Sequence, residues 1–111
     1  MSATDKIIAF AAADHALPDS AKAAARYLLG DTLAGGAAGA ASDEALAMLD
    51  AVRGWGSADQ ARLLGSGDRL PTPSAAWFNG FTIHCLEWDA VHEPAVVHAL
   101  SVVTAALIAS A

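Results

Sequence analysis

The positions of proline and glycine divide this chain of 111 residues into segments of helical length. The breaks fall at Pro18, at Gly54 and Gly56, at Pro73 and at Pro94. Between these breaks, apolar residues recur at spacings of three and four, which is the pattern of an α-helix packed along one side. We therefore predict an all-α chain of about five helices.

The bounds of the predicted helices follow from capping residues, from the apolar period and from the breaks. Ser2 or Thr4 is expected to cap the first helix, Asp19 or Ser20 the second, Ser42 the third and Thr72 the fourth. The stretch between the third and fourth helices loses the helical period and contains one short extended segment. The predicted helices run from about Thr4 to Ala16, from Ser20 to Gly35 or slightly beyond, from Ser42 to Arg53, from Pro73 to Leu86 and from Val96 to Ala111, and the extended segment from Ala61 to Leu64.

A run of small residues, from Gly35 to Ala41, follows the second predicted helix. Small side chains let two helix backbones approach closely. Glycine also ends helices and forms loops. The sequence leaves both interpretations open.

The composition is unusually apolar for a domain of this size. Hydrophobic residues make up 55% and charged residues 16%, whereas soluble domains carry about 25% charged residues. We expect a partner subunit, a second copy or a further part of the polypeptide to cover the excess apolar surface. A membrane is disfavoured, because the longest uncharged run is rich in alanine and is interrupted by His98, Ser101 and Thr104.

The last predicted helix is apolar all round and carries no cap, which is typical of a helix inside a larger body. We therefore expect residues 1–111 to be one partial helical domain at the front of a longer protein.

The charge distribution restricts the partners. The net charge is −6 and no basic patch is present, so we expect no nucleic-acid partner. No lysine or arginine follows Arg69, so a site in that half that bound an anion would need cations from elsewhere. The single cysteine, Cys85, excludes an internal disulfide and a cysteine-based metal site. A cytoplasmic location fits this cysteine content.

Three of the four histidines lie between Asn79 and His98, among carboxylates. Three interpretations compete. In the first the polar groups only satisfy one another's hydrogen bonds, in the second they bind a metal, and in the third they transfer protons. The spacing matches no helical HExxH motif, which counts against metal, whereas a histidine beside a carboxylate is a ready proton-transfer pair. We expect His84 and Glu87 to lie side by side at the end of the fourth helix. The polar residues of this stretch are His84, Glu87, Asp89, His92, Glu93 and His98.

The same stretch resembles the MmgE/PrpD family, which includes 2-methylcitrate dehydratase, cis-aconitate decarboxylase and iminodisuccinate epimerase. The family pattern is roughly N-G-x-x-x-H-x-L-D-[FY]-D-D-T-H, followed after a short variable run by V-H-P-S. Upstream, residues 31–35 and 73–80 are similar to the family as well. The residues that carry the resemblance are Asn79-Gly80, His84, Glu87-Trp88-Asp89, His92-Glu93 and Val97-His98.

The resemblance implies a large helical domain followed by a smaller α/β lid domain, which lies beyond these 111 residues, with the active site between the two and usually in a dimer. It implies proton transfer on a small di- or tricarboxylic acid with no metal or organic cofactor. His98 matches the active-site histidine and Glu87 the first acid of the motif, so we expect both to be catalytic. His98 would act as general acid or base, and Glu87 would orient it or bond to the substrate. Asp89, His92 and His84 match further polar positions, which we expect to contact substrate.

Several positions depart from the family pattern. Glu87 stands in place of aspartate, Ala90 and Val91 in place of Asp-Thr, and Ala99-Leu100 in place of Pro-Ser. The lysines and the lid that bind substrate carboxylates in the family lie beyond residue 111. We therefore expect a homo-oligomer or a complementary chain to complete the site. The alternative is a non-catalytic helical association module derived from the family.

Overall fold

The computed structural model describes residues 1–111 and confirms the all-α prediction. Five α-helices are joined by loops, by one short 3-10 helix and by one antiparallel hairpin whose two strands have two residues each. The fourth helix lies at the centre and contacts the second, third and fifth helices and both strands. The elements are α1 (Ala3–Ala12), α2 (Asp19–Gly39), α3 (Asp43–Arg53), β1 (Ala61–Arg62), β2 (Arg69–Leu70), α4 (Thr72–His84), the 3-10 helix (Glu93–Ala95) and α5 (Ala99–Ser110).

The capping predictions hold for two helices and fail for two. The Ser2 side chain accepts a hydrogen bond from the backbone of Asp5 in a full capping box, and Ser42 caps α3. Pro18 precedes α2 and offers no side-chain bond, so the predicted cap at Asp19 or Ser20 is wrong. Prolines have a fixed φ near the helical value and readily begin helices without a side-chain cap. Thr72 is likewise the first residue of α4 rather than its cap.

The small residues at the end of α2 form a close helix contact, which decides between the two interpretations. The helix continues to Gly39, and both Gly36 and Gly39 are buried. A β-carbon at Gly36 would come within 2.6 Å of the Leu64 side chain, and one at Gly39 within 2.0 Å of the Thr82 carbonyl oxygen. Only glycine lets α2 lie this close to α4.

Asn79 links α4 to the segment that follows β1. It is completely buried. The Leu64 backbone N–H donates to its side-chain oxygen at 2.9 Å, and its amide nitrogen donates to the Arg62 carbonyl at 3.0 Å. The side chain therefore satisfies two backbone groups that the short hairpin leaves without ladder partners. It fixes the hairpin against the middle of α4.

Asn79→Ala is expected to lower the free energy of unfolding by about 2 kcal/mol, because it removes two hydrogen bonds and leaves their backbone partners unpaired. Urea denaturation measures this. The matched control is Gln60→Ala, which also removes an amide that accepts from a backbone N–H, that of Thr72, but at an exposed position. The control should lower the free energy of unfolding by less than about 1 kcal/mol. Equal losses for the two variants would contradict the role of Asn79.

Two helices leave apolar faces uncovered. α1 buries no residue, and Ile7, Ile8 and Phe10 are exposed on it. α5 packs one face on α4, but its Val102 and Leu107 remain mostly exposed. None of the helices combines the length and the apolarity that crossing a membrane requires.

Candidate active site

A buried carboxylate, that of Asp89, lies between two imidazoles. His84 Nδ1 is 2.9 Å from one oxygen of Asp89, and His98 Nδ1 is 3.1 Å from the other. The side chain of Asp89 is 1% exposed, whereas those of His84 and His98 are 48% and 37% exposed. The two rings meet edge to face, with centroids 4.9 Å apart. We refer to His84, Asp89 and His98 as the triad.

The triad is assembled where two helices end. His84 is the last residue of α4, and His98 is the residue that precedes α5. Glu87 turns the chain between them with a φ of 54°, and its N–H donates to the His84 carbonyl at 2.8 Å. Left-handed backbone is costly for a residue other than glycine and is typical of functional sites. The turn at Glu87 directs the chain back, so that Asp89 lies against α4.

A second turn brings the chain to α5. The His92 N–H donates to the Val97 carbonyl at 2.9 Å, and the two residues form an isolated antiparallel bridge. Val96 has a φ of 51° inside this loop. Because Val96 reverses the chain at this point, His98 reaches the second carboxylate oxygen of Asp89, next to His84. This is also why α5 begins at Ala99, inside the predicted range from Val96 to Ala111.

The charge of Asp89 is stabilised by its neighbours. Burial acts to raise the pKa of its carboxyl, but hydrogen bonds from His84 and His98 and their positive charge act in the opposite direction and prevail. The pKa of Asp89 therefore lies below its usual value of 3.8. No buried side-chain nitrogen or oxygen lacks a hydrogen-bond partner. The triad is thus a satisfied network with an ionised carboxylate at its centre.

The lowered pKa of Asp89 predicts a pH dependence of stability. A carboxyl whose pKa is depressed in the folded state stabilises the fold above its unfolded pKa, and this stabilisation is lost as the pH falls through the folded value. We expect the difference in unfolding free energy between the wild type and Asp89→Asn to shrink as the pH falls below 3.8. Denaturation of both proteins at several pH values measures this difference. The pKa of Asp5 is also lowered, but its contribution is common to both proteins and cancels. A difference in unfolding free energy that stays constant down to pH 2 would contradict a lowered pKa of Asp89.

The triad brings together three of the five predicted site residues and leaves two outside. Glu87 and His92 are exposed, and neither side chain bonds to the triad; the ring of His92 accepts from the Ala95 N–H at 3.3 Å. The predicted pairing of His84 with Glu87 on one helix face is wrong, because α4 ends at His84. Asp89 takes the position beside His84 that we expected Glu87 to occupy.

An apolar cavity of about 620 Å³ adjoins the triad. Sequence reasoning missed it, because its walls come from three helices that are distant in sequence. His84 and Ser101 are among its few polar lining residues. The volume is in the range of small-molecule sites. The apolar wall includes Met48 from α3, Trp77 and Phe81 from α4, and Val102, Ala105 and Ala106 from α5.

The triad also has the residue types of a divalent-metal site, two histidines and one carboxylate. The ligand-type atoms of the three residues lie within 4.8 Å of one another. However, both Asp89 oxygens already take part in hydrogen bonds with the Nδ1 atoms. A metal bound through these atoms would replace both hydrogen bonds.

Comparison with protein families finds one match. The model of the MmgE/PrpD N-terminal domain matches residues 7–111. No curated protein matches the chain significantly, and no solved structure does so. The matched range includes all three residues of the triad, together with α4, α5 and the loop between them that position these residues.

Proposed function

Because the chain belongs to the MmgE/PrpD family, we propose that it is the N-terminal helical part of an enzyme that moves a proton on a small di- or tricarboxylic acid. The reaction is a dehydration, a decarboxylation or an epimerisation, without a metal or an organic cofactor. One observation carries this proposal: a buried, ionised Asp89 holds two half-exposed imidazoles. Imidazole is the side chain best suited to accept and donate protons near neutral pH.

In this proposal His98 is the general acid or base. Its Nδ1 is bonded to Asp89, so its proton-transfer atom is Nε2. A carboxylate that fixes one ring nitrogen also fixes the tautomer and orientation of the ring. Asp89 therefore positions His98. Glu87 and His92 lie on the exposed outer side of the loop, where they would contact the substrate.

The proposed substrate needs cations that this chain does not supply near the triad. No lysine or arginine follows Arg69, and carboxylates are bound most strongly by such groups. We propose that a complementary chain or segment contributes lysines and a lid, or that a second copy completes the site. With Ala90 and Val91 in place of the family's Asp-Thr, the substrate would make fewer polar contacts with this loop. A cytoplasmic location is part of the same proposal, since the one cysteine, Cys85, is free.

The second candidate is a non-catalytic association module. The exposed apolar faces of α1 and α5 favour it, because large exposed apolar patches mark surfaces that bind other proteins. The triad disfavours it, since association through apolar faces does not require a buried carboxylate between two histidines.

The solution mass of the chain separates the two candidates. Light scattering would measure it for the chain alone and after co-expression with the product of the neighbouring reading frame. A complex with a lysine-rich second chain that consumes 2-methylcitrate, cis-aconitate or iminodisuccinate would support the enzyme. A stable homo-oligomer that acquires no second chain and leaves all three acids unchanged would favour the association module.

A further inference from the structure

His98 is not the only imidazole that Asp89 holds. His84 approaches the other carboxylate oxygen at 2.9 Å, against 3.1 Å for His98, and the two side chains are exposed to similar extents. We propose that His84 is a second proton-transfer residue, paired with His98 through Asp89, and not only a substrate contact. This inference rests on the proposed function, because it assigns a second role within the same site.

The hydrogen bonds determine which ring atoms are free. An ionised carboxylate can only accept, so both Nδ1 atoms must carry a proton and donate to Asp89. Neither Nε2 atom of the pair has a hydrogen-bond partner in the chain. Both Nε2 atoms are therefore available to a substrate that lies over the exposed side of the triad.

The charges favour one acid and one base. A single carboxylate balances a single imidazolium, and two imidazolium rings 4.9 Å apart would repel each other. The state in which one ring is protonated at both nitrogens and the other is neutral has no net charge. A reaction that removes one proton and delivers another requires this state.

The proton balance closes for the reactions that the pair would serve. The neutral ring takes a proton from a carbon beside a carboxylate, and the electron pair of that C–H bond is left on the substrate. In a dehydration, this pair forms the C=C bond as the C–O bond breaks, and the protonated ring gives its Nε2 proton to the departing hydroxide to form water. In this step one ring gains a proton and the other loses one.

Nitrogen NMR of the histidine rings tests the geometry without any substrate. At a pH where the rings are neutral, we expect His84 and His98 to be protonated at Nδ1. His92 and His15 should be protonated at Nε2, because the Nδ1 of His92 accepts from Ala95 N–H and the Nε2 of His15 lies 2.6 Å from the Phe10 carbonyl. His92 and His15 thus serve as internal references. If either His84 or His98 is protonated at Nε2, the pair does not exist and the proposal fails.

Asp89→Asn tests whether Asp89 imposes these tautomers. An amide has one oxygen that accepts and one nitrogen that donates, and the two rings bond to different oxygens of Asp89, so one ring in the variant would face an NH2 group in place of an acceptor. We expect at least one of the two rings to change from Nδ1 to Nε2 protonation, while His92 and His15 remain unchanged. Two rings that both stay protonated at Nδ1 would overturn the proposal. The wild-type spectrum remains decisive if this variant does not fold.

Kinetics of His84→Gln in the complete enzyme distinguish proton transfer from substrate binding. They would use whichever of 2-methylcitrate, cis-aconitate and iminodisuccinate the enzyme consumes. A proton-transfer residue predicts a fall in kcat of about 10²-fold or more with little change in KM. A raised KM with unchanged kcat would show that His84 only binds substrate and would overturn the proposal. If none of the three acids reacts, the proposed function fails, while the NMR result still decides whether the pair exists.

Discussion

His98→Ala is expected to lower kcat of the complete enzyme on the order of 10²-fold or more, because general acid–base catalysis contributes about 10²–10⁴-fold. The variant removes the imidazole that Asp89 orients and leaves the carboxylate bonded to His84 alone. Initial rates over a range of substrate concentrations would give kcat and KM separately.

The matched control for this variant is His15→Ala. His15 is exposed beyond the end of α1, and its ring bonds only to the Phe10 carbonyl. We expect kcat within about two-fold of the wild type, since exposed substitutions away from a site have small effects. A loss of less than ten-fold for His98→Ala would remove His98 from the role of acid or base.

Gly39→Ala is expected to destabilise the fold by about 3 kcal/mol or more, the upper part of the range for overpacked cores. Its β-carbon would lie 2.0 Å from the Thr82 carbonyl oxygen and 2.8 Å from Cys85 Sγ. The carbonyl belongs to the backbone of α4 and cannot rotate away, so α2 and α4 would have to separate. The midpoint of urea denaturation and the melting temperature would both report this loss.

Gly30→Ala is the control, because it makes the same change in the same helix where nothing lies within 4 Å of the new β-carbon. It should raise stability by about 0.5–1 kcal/mol, the usual advantage of alanine over glycine inside a helix. The two substitutions should thus have opposite signs. Similar destabilisation by both would mean that the close contact of α2 with α4 does not limit the size of residue 39.

The number and order of the helices could be predicted from sequence because each depends on local features. Ser42 caps α3 and Gly54 follows its end, as the pattern indicates. The C-terminal end of α2 could not be predicted, since a run of glycines usually ends a helix unless a neighbouring helix packs against it. Here α4 packs on Gly36 and Gly39 and keeps the run helical. That neighbour is more than 30 residues away and leaves no trace in the local pattern.

The sequence places the three residues of the triad in one polar stretch, but their arrangement could not be predicted. The sequence identified the stretch and its polar residues, and a helical spacing paired His84 with Glu87. The left-handed backbone of Glu87 changes which carboxylate lies beside His84. It ends the helical spacing and brings Asp89, in place of Glu87, to His84. Positive φ at a glutamate has no sequence pattern of its own, since glycine or asparagine is the usual residue there.

The triad also has a consequence for how the protein folds. Asp89 lies only five residues after His84 and nine before His98. Closing loops of about ten residues takes about 10–100 ns and costs little chain entropy. The three side chains can therefore meet as soon as the ends of α4 and α5 form, before distant segments assemble. The local geometry of the triad therefore depends little on how the more distant helices pack.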